Sequence, residues 1–109
     1  MKVIVAIPAY NEATAIAGVV QDCHQNGYST VVVVDDGSKD STAQAARSAG
    51  AHVIQHAINR GYGAATVTAI EAAKSLGADV TVIMDADGQH KAEEVEKLLT
   101  PIYNAQADV

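Results

Sequence analysis

Apolar residues along this chain follow two alternating rhythms. Val3–Ile7 is a short, almost wholly apolar run ended by Pro8, as expected of a parallel strand buried on both faces. Ile16, Val19, Val20 and Cys23 then recur at the i, i+3, i+4, i+7 spacing of an amphipathic helix, with Asn11 as its expected N-cap and Gly27 as its stop. Thr30–Val34 is a second, strongly β-branched strand. A turn at Asp36-Gly37-Ser38 leads to a helix starting at Asp40 or Ser41, where Ser41 and Gln44 have the spacing of a capping box and Gly50 closes the segment. Ala51–Ile54 reads as a weaker third strand. After Gly61 and Gly63, a helix sets Ala65, Ala69, Ala72, Ala73 and Leu76 on one face and stops at Gly77. Asp79–Met84 is the fourth strand. A last helix is expected with Glu93 and Glu94 in its positive first turn, Val95, Leu98, Leu99 and Ile102 facing inward, and Pro101 ending or kinking it.

Continuous apolar strands separated by amphipathic helices predict a parallel sheet covered on both faces. Right-handed crossovers make it a doubly wound, three-layer α/β/α sandwich. At 109 residues there is room for one domain, taken as 1–109. Composition fits: hydrophobic residues make up 49% of the chain, yet Trp and Phe are absent, so Val-rich strands must pack under small-residue helix faces. A net charge of -6 argues against nucleic acid, whose backbone requires a basic surface. It leaves room for an anionic nucleotide if a divalent cation lies between the two. The single Cys23 forms no intrachain disulfide and reads as a buried core thiol. No apolar run reaches the ~20 residues of a membrane span, and Met1-Lys2 leads directly into a strand without a signal-peptide pattern. The expectation is a cytoplasmic, soluble domain. Ala107-Asp108-Val109 looks like a strand just beginning, so the chain is expected to be cut from a longer one.

In open parallel sheets, ligands bind at the carboxyl ends of the strands near the switch in strand order. Four polar segments fall at those ends: Pro8-Ala9-Tyr10-Asn11-Glu12, Asp35-Asp36-Gly37-Ser38, Asn59-Arg60-Gly61-Tyr62-Gly63, and Asp85-Ala86-Asp87-Gly88-Gln89-His90. Their convergence on one edge says more than any one of them. Asp85 and Asp87, one residue apart in a turn, can meet on a hard cation such as Mg²⁺ or Mn²⁺, which takes oxygen ligands and shares them with substrate phosphates. An ordinary solvated Asp-Gly turn is the plainer reading. Of Asp35 and Asp36, one is expected to form an Asx-type turn and the other to accept a hydrogen bond from a base or ribose. A buried, unpaired carboxylate is costly, so at least one should point to solvent or ligand. Tyr10 can stack on a nucleobase or simply pack in its loop. The backbone N–H groups of Gly61-Tyr62-Gly63 can face a phosphate, although a tight turn before a helix explains them equally. Arg60 suits a phosphate contact or open solvent. His24, His52 and His56 lack metal-like spacing and read as surface or packing residues; His90 is the one histidine beside the acidic turn.

Together these segments resemble the family 2 glycosyltransferases. The matching stretches are Ile7-Pro8-Ala9-Tyr10-Asn11-Glu12, Val33-Val34-Asp35-Asp36-Gly37-Ser38 with Asp40-Ser41-Thr42, Asn59-Arg60-Gly61-Tyr62-Gly63-Ala64-Ala65, and Asp85-Ala86-Asp87-Gly88-Gln89-His90, in the family's order and across almost the whole chain. The last stretch is most similar to the branch that makes dolichyl- or undecaprenyl-phosphate sugars, the dolichol-phosphate mannose synthase-like enzymes. The resemblance implies a Rossmann-like nucleotide-diphospho-sugar transferase (GT-A) fold, truncated before its acceptor half. It also implies inverting transfer of a hexose from a UDP- or GDP-sugar to an acceptor such as a polyprenyl phosphate. Pro8, Tyr10, Glu12, Val34 and Asp36 match positions that hold base and ribose. Asp85, Ala86, Asp87 and Gln89 match positions around diphosphate and metal, with Asp87 and Gln89 as the direct ligands of Mg²⁺ or Mn²⁺. Catalysis is thereby expected to run through Asp85 and Asp87, the cation neutralising the diphosphate as its charge develops. The lipid phosphate is already an anion and has less need of a general base.

Two departures stand out. Val67 occupies a place where many relatives carry a basic residue, and Lys91-Ala92 replaces the common Asp-Pro after His90. The missing half normally carries acceptor contacts, further basic residues and, in many members, membrane helices. The fragment alone is therefore expected to bind nucleotide weakly and not to turn over. A receiver domain would need a phosphorylatable Asp after its third strand and a later Lys. A nicotinamide-binding domain would need GxGxxG where Pro8-Ala9-Tyr10 stands. A nucleotidyltransferase would need a Gly-rich basic loop after the first strand. The stronger alternative is an inactive α/β module whose open sheet edge or uncovered apolar face pairs with a second copy.

Overall fold

The computed structural model describes residues 1–87. Among the described residues seven elements alternate: β1 (Val3–Ala9), α1 (Ile16–Gln25), β2 (Val31–Asp35), α2 (Thr42–Ser48), β3 (His52–Gln55), α3 (Tyr62–Ser75) and β4 (Val80–Ile83). All three strand pairings are parallel, in the order β3-β2-β1-β4. The chain thus builds outward from β1 to β3 and returns through α3 to the opposite side of β1. That reversal is the switch point at which an open α/β sheet makes room for a ligand.

Alternating side chains divide the sheet between two cores. Val5, Ile7, Val31, Val33, Val80, Val82 and Met84 face α1 and α2, meeting Ile16, Val19, Val20, Cys23 and Ala46. These four α1 residues are the ones its periodicity singled out. Each fully buried Val or Ile contributes about 1.5–3 kcal/mol of transfer free energy. On the other face, Ile4, Ala6, Val32 and Val34 pack against Ala65, Ala69 and Ala73 of α3. Burial pushes the Cys23 thiol up, with help from Asp22, to a pKa of about 11, and its sulfur lies 3.7 Å from that of Met84. It is the core thiol the sequence indicates.

Several local expectations change. Pro8 lies within β1 instead of ending it, opposite Val34 of β2. Val5 N–H and Ala9 C=O bond on the β2 side and Ala6 C=O bonds on the β4 side, so Pro8 directs its missing N–H toward β4, which has already ended at Ile83. No ladder bond is lost there, which is why proline is tolerated. Asn11 does not cap α1. That helix starts at Ile16, after a turn in which the Glu12 carbonyl accepts from Ala15 and Ile16 N–H. The Ser41–Gln44 capping box does not form either: Ser41 makes no side-chain cap bond, and the Asp40 carboxylate accepts from Thr42 N–H at 3.0 Å instead. Leu76 is more exposed than its helical spacing suggests, because α3 ends at Ser75 beside the thin edge strand β3. The expected last helix, Gln89, His90 and the Ala107–Val109 segment lie outside the described residues.

Candidate functional site

The first two loops are stitched together by side chains acting on backbone. Asn11, in the left-handed region at φ 53°, donates its N–H to Ser38 Oγ at 2.8 Å and accepts from Lys39 N–H at 2.9 Å. Glu12 N–H donates to Thr42 Oγ1 at 2.9 Å, and the Thr42 hydroxyl donates in turn to Asp40. That hydroxyl is the main reason the Asp40 carboxyl lies below its ordinary pKa; its slight burial works the other way, and the N–H groups of Thr42 and Ala13 add to the lowering. The β1–α1 loop is thereby tied to the β2–α2 loop along the carboxyl edge of the sheet.

Asp35 and Asp36 at the end of β2 divide their work. Asp35 Oδ1 accepts from Ser38 N–H at 3.0 Å, closing the Asx-type turn expected of one of the pair. The Asp36 carboxylate reaches across to the β3–α3 loop. Its Oδ1 accepts from Arg60 N–H at 2.8 Å and lies 2.8 Å from His56 Nδ1, while its Oδ2 accepts from Gly61 N–H at 2.9 Å. Burial alone would push this carboxyl up; the bonds from Arg60, His56 and Gly61 and the nearby His56 charge outweigh it and hold the group below its ordinary value. Asp35 and Asp36 are 2% and 3% exposed, so neither turns to solvent; both are bonded inside the protein, and Asp36 also borders a pocket. Gly37 makes the approach possible. A Cβ there would come within 2.5 Å of Asn59 N and Ile58 C, and its φ of +73° suits glycine.

Pro8, Ala9, Tyr10, Asp36, Asn59, Gly61, Tyr62 and Ala65 line a pocket of about 290 Å³ between these loops. A larger, mostly apolar groove of about 400 Å³ lies along β3 and the end of α3. It contains none of the converging carboxylates and amides, and the smaller pocket is where the chemistry is. Three residues singled out in the sequence, Pro8, Tyr10 and Asp36, meet in it. Glu12 does not; it is half-buried, with its backbone N–H on Thr42 and its C=O at the start of α1. Val34 is wholly buried in the α3-facing core beside Ala65. Met84 N–H donates to Ala6 C=O, so the Asp85-Ala86-Asp87 turn leaves the sheet next to β1, on the same edge. There Asp85 is half-buried, Ala86 is packed in the α1-facing core and Asp87 is exposed. Among the described residues no group of three or more His, Cys, Asp or Glu could hold a metal by itself.

The expected phosphate role of Gly61 N–H is corrected: that amide is committed to Asp36 and to Asn59 Oδ1, at 3.0 Å. Asn59 and Tyr62 of the third polar segment line the pocket with Gly61. His56 was missed as more than a surface or packing residue. Its side chain is 6% exposed and bridges Asp36 to Thr68 of α3, whose Oγ1 lies 2.9 Å from Nε2. A single histidine four residues before Arg60 carries no local signal of this; only the meeting of β2, the loop and α3 creates the bridge.

The model of the family described as glycosyl transferase family 2 matches residues 4–109. Over 90% of its length the chain is 36% identical to the UDP-N-acetylglucosamine–dolichyl-phosphate N-acetylglucosaminyltransferase of Methanococcus voltae, spanning 46% of that enzyme. Over 96% of its length it is 34% identical to the undecaprenyl-phosphate mannosyltransferase of Micrococcus luteus, again spanning 46% of the relative. Among solved structures, the glucosyl-3-phosphoglycerate synthase of Mycobacterium tuberculosis in complex with Mn²⁺, UDP-glucose and phosphoglyceric acid superposes with a TM-score of 0.63. That likeness, at 26% identity, covers 77% of this chain and 32% of the synthase. The chain spans about half the length of the two curated relatives.

Proposed function

The chain belongs to glycosyltransferase family 2, and from that premise we propose that residues 1–109 form the donor-binding part of an inverting hexosyltransferase acting on a polyprenyl phosphate. The observation that carries this reading is the pocket formed by Tyr10, Asp36, Gly61 and Tyr62 on the edge from which the Asp85-Ala86-Asp87 turn emerges. A base seated against Tyr10, with an N–H aimed at Asp36, places its ribose and diphosphate along the edge toward Asp85 and Asp87. Three protein donors occupy the Asp36 carboxylate, and with about four lone-pair sites it retains one acceptor for the ligand.

Two carboxylates at a strand end suit Mg²⁺ or Mn²⁺, which keeps one or two protein carboxylates and takes the rest of its shell from substrate phosphate and water. Asp87, with Gln89 beyond the described residues, would be the direct ligands and Asp85 their neighbour. When bound, such an ion stabilises the negative charge that develops on the departing diphosphate. In the transfer, an oxygen of the acceptor phosphate bonds to the anomeric carbon from the face opposite the diphosphate, and the nucleoside diphosphate leaves with the bonding pair. This chain's part is to orient the donor for that displacement. The acceptor is a membrane lipid, so the reaction belongs at a membrane surface, and the portion that grips the lipid lies in the length of relatives this chain does not span. Among the described residues no helix is long and apolar enough to cross a membrane.

A second reading, a self-associating module without catalysis, is favoured by the exposed edge strand β3 and the apolar groove beside Ile54 and Leu76. Calorimetric titration with UDP and GDP, in Mn²⁺ and in chelator, separates the two. The donor-site reading expects one nucleotide to bind, at least tenfold more tightly with Mn²⁺ (~1.4 kcal/mol), and Asp87→Ala to abolish the difference. Absence of binding at millimolar nucleotide in a folded chain, with a size that grows with concentration, would replace it by the second reading.

A further inference from the structure

The pocket side of Asp36 is explained by ligand binding, but its opposite side is held by a residue that the proposed function does not use. The Thr68 hydroxyl donates to Ala64 C=O at 3.1 Å, one turn back along α3. The same Oγ1 lies 2.9 Å from His56 Nε2, within hydrogen-bond reach on the far side of the ring. On the near side Asp36 is a carboxylate, an acceptor only, so Nδ1 must donate. The ring is thus held at both nitrogens between β2 and α3.

We propose that His56 is a positioning residue of the pocket: its ring clamps Asp36 to Thr68 and so fixes the carboxylate on which Arg60 N–H and Gly61 N–H rest. Geometry supports it from both directions. Asp36 Oδ1 receives His56 and Arg60 together, which fills that oxygen and leaves the open acceptor on Oδ2, beside Gly61 in the pocket wall. Without the ring, Oδ1 loses one of its two partners and the carboxylate can turn, releasing the Asn59-Arg60-Gly61 segment that it holds. The clamp therefore acts on ligand affinity through the shape of the wall and touches no ligand itself.

The first measurement is a long-range ¹H–¹⁵N spectrum of the full chain, in which Nδ1 of the His56 ring is expected to carry a proton. A bare Nδ1 overturns the clamp. The second compares amide exchange at Arg60 and Gly61 in the wild type, His56→Phe and His56→Gln. Faster exchange at these two amides in His56→Phe is expected, while the α1-facing core stays protected and Gln, which can still donate to Asp36, recovers part of the loss. Unchanged exchange in a folded His56→Phe chain overturns the proposal. If Phe does not fold, Thr68→Val replaces it, removing only the Nε2 partner. The consequence for affinity rests on the donor-site reading: the UDP or GDP dissociation constant should rise about tenfold in His56→Phe, the scale of one lost charged hydrogen bond. A wild type that binds neither nucleotide refutes the donor site, and the ring spectrum and amide exchange still decide the clamp.

Discussion

Two acidic pairs flank β1 at the carboxyl edge of one sheet, and the protein treats them in opposite ways. Asp35 and Asp36 are sealed inside, each 3% exposed or less, with their oxygens on Ser38, Arg60 and Gly61 N–H and on the His56 ring. Asp85 is half-buried and Asp87 exposed on a turn that the sheet merely launches. A buried carboxylate must be paid for with donors, so the first pair has become part of the architecture that shapes the pocket. An exposed carboxylate costs the fold little. One pair shapes the pocket; the other stands on the same edge, nearer to solvent.

The strongest way to break that contrast is to truncate one member of each pair. Asp36→Ala leaves two backbone N–H groups and a buried imidazole without their acceptor, and should cost about 3–5 kcal/mol, the scale for breaking a buried pair. Urea unfolding should show that loss, whereas Asp87→Ala, an exposed change, should stay within about 0.5 kcal/mol of wild type. Equal effects of the two would erase the distinction.

Acidification probes the same contrast more gently. The folded-state pKa of Asp36 is depressed below its unfolded value, so its contribution is complete above the ordinary carboxylate pKa of about 4 and is lost as pH falls through the folded value. The stability gap between wild type and Asp36→Ala should therefore be widest near neutrality and shrink below about pH 4. A gap that grew on acidification would contradict the bonding described for Asp36.

The smallest effect is expected within the buried pair itself. Asp35→Asn keeps an oxygen for Ser38 N–H, so the turn should survive with a loss of about 1 kcal/mol or less. Thermal unfolding would register it, and a loss as large as that of Asp36→Ala would mean that the charge of Asp35, rather than its turn, is what the fold requires.

Much of this protein was legible in one dimension. The four strands, the inward face Ile16, Val19, Val20 and Cys23, and the stops at Gly27 and Gly77 follow from local periodicity and backbone preference, which short stretches of chain carry by themselves. The convergence of the first three polar loops and the Asp85 turn on one edge was legible too, because strand ends in a parallel sheet must share an edge. What escaped were choices between partners. Asn11 and Ser41 are both good cap residues, yet Asn11 is drawn to Ser38 and Lys39, and Asp40 takes over at α2. Pro8 reads as a terminator until the strand order shows that its missing N–H faces a neighbour already ended. His56 has a role only because α3 brings Thr68, twelve residues on, to the far side of its ring. Periodicity determines where side chains of a class will point; which acceptor a given donor finds depends on distances between segments far apart in sequence, and those exist only once the sheet has assembled.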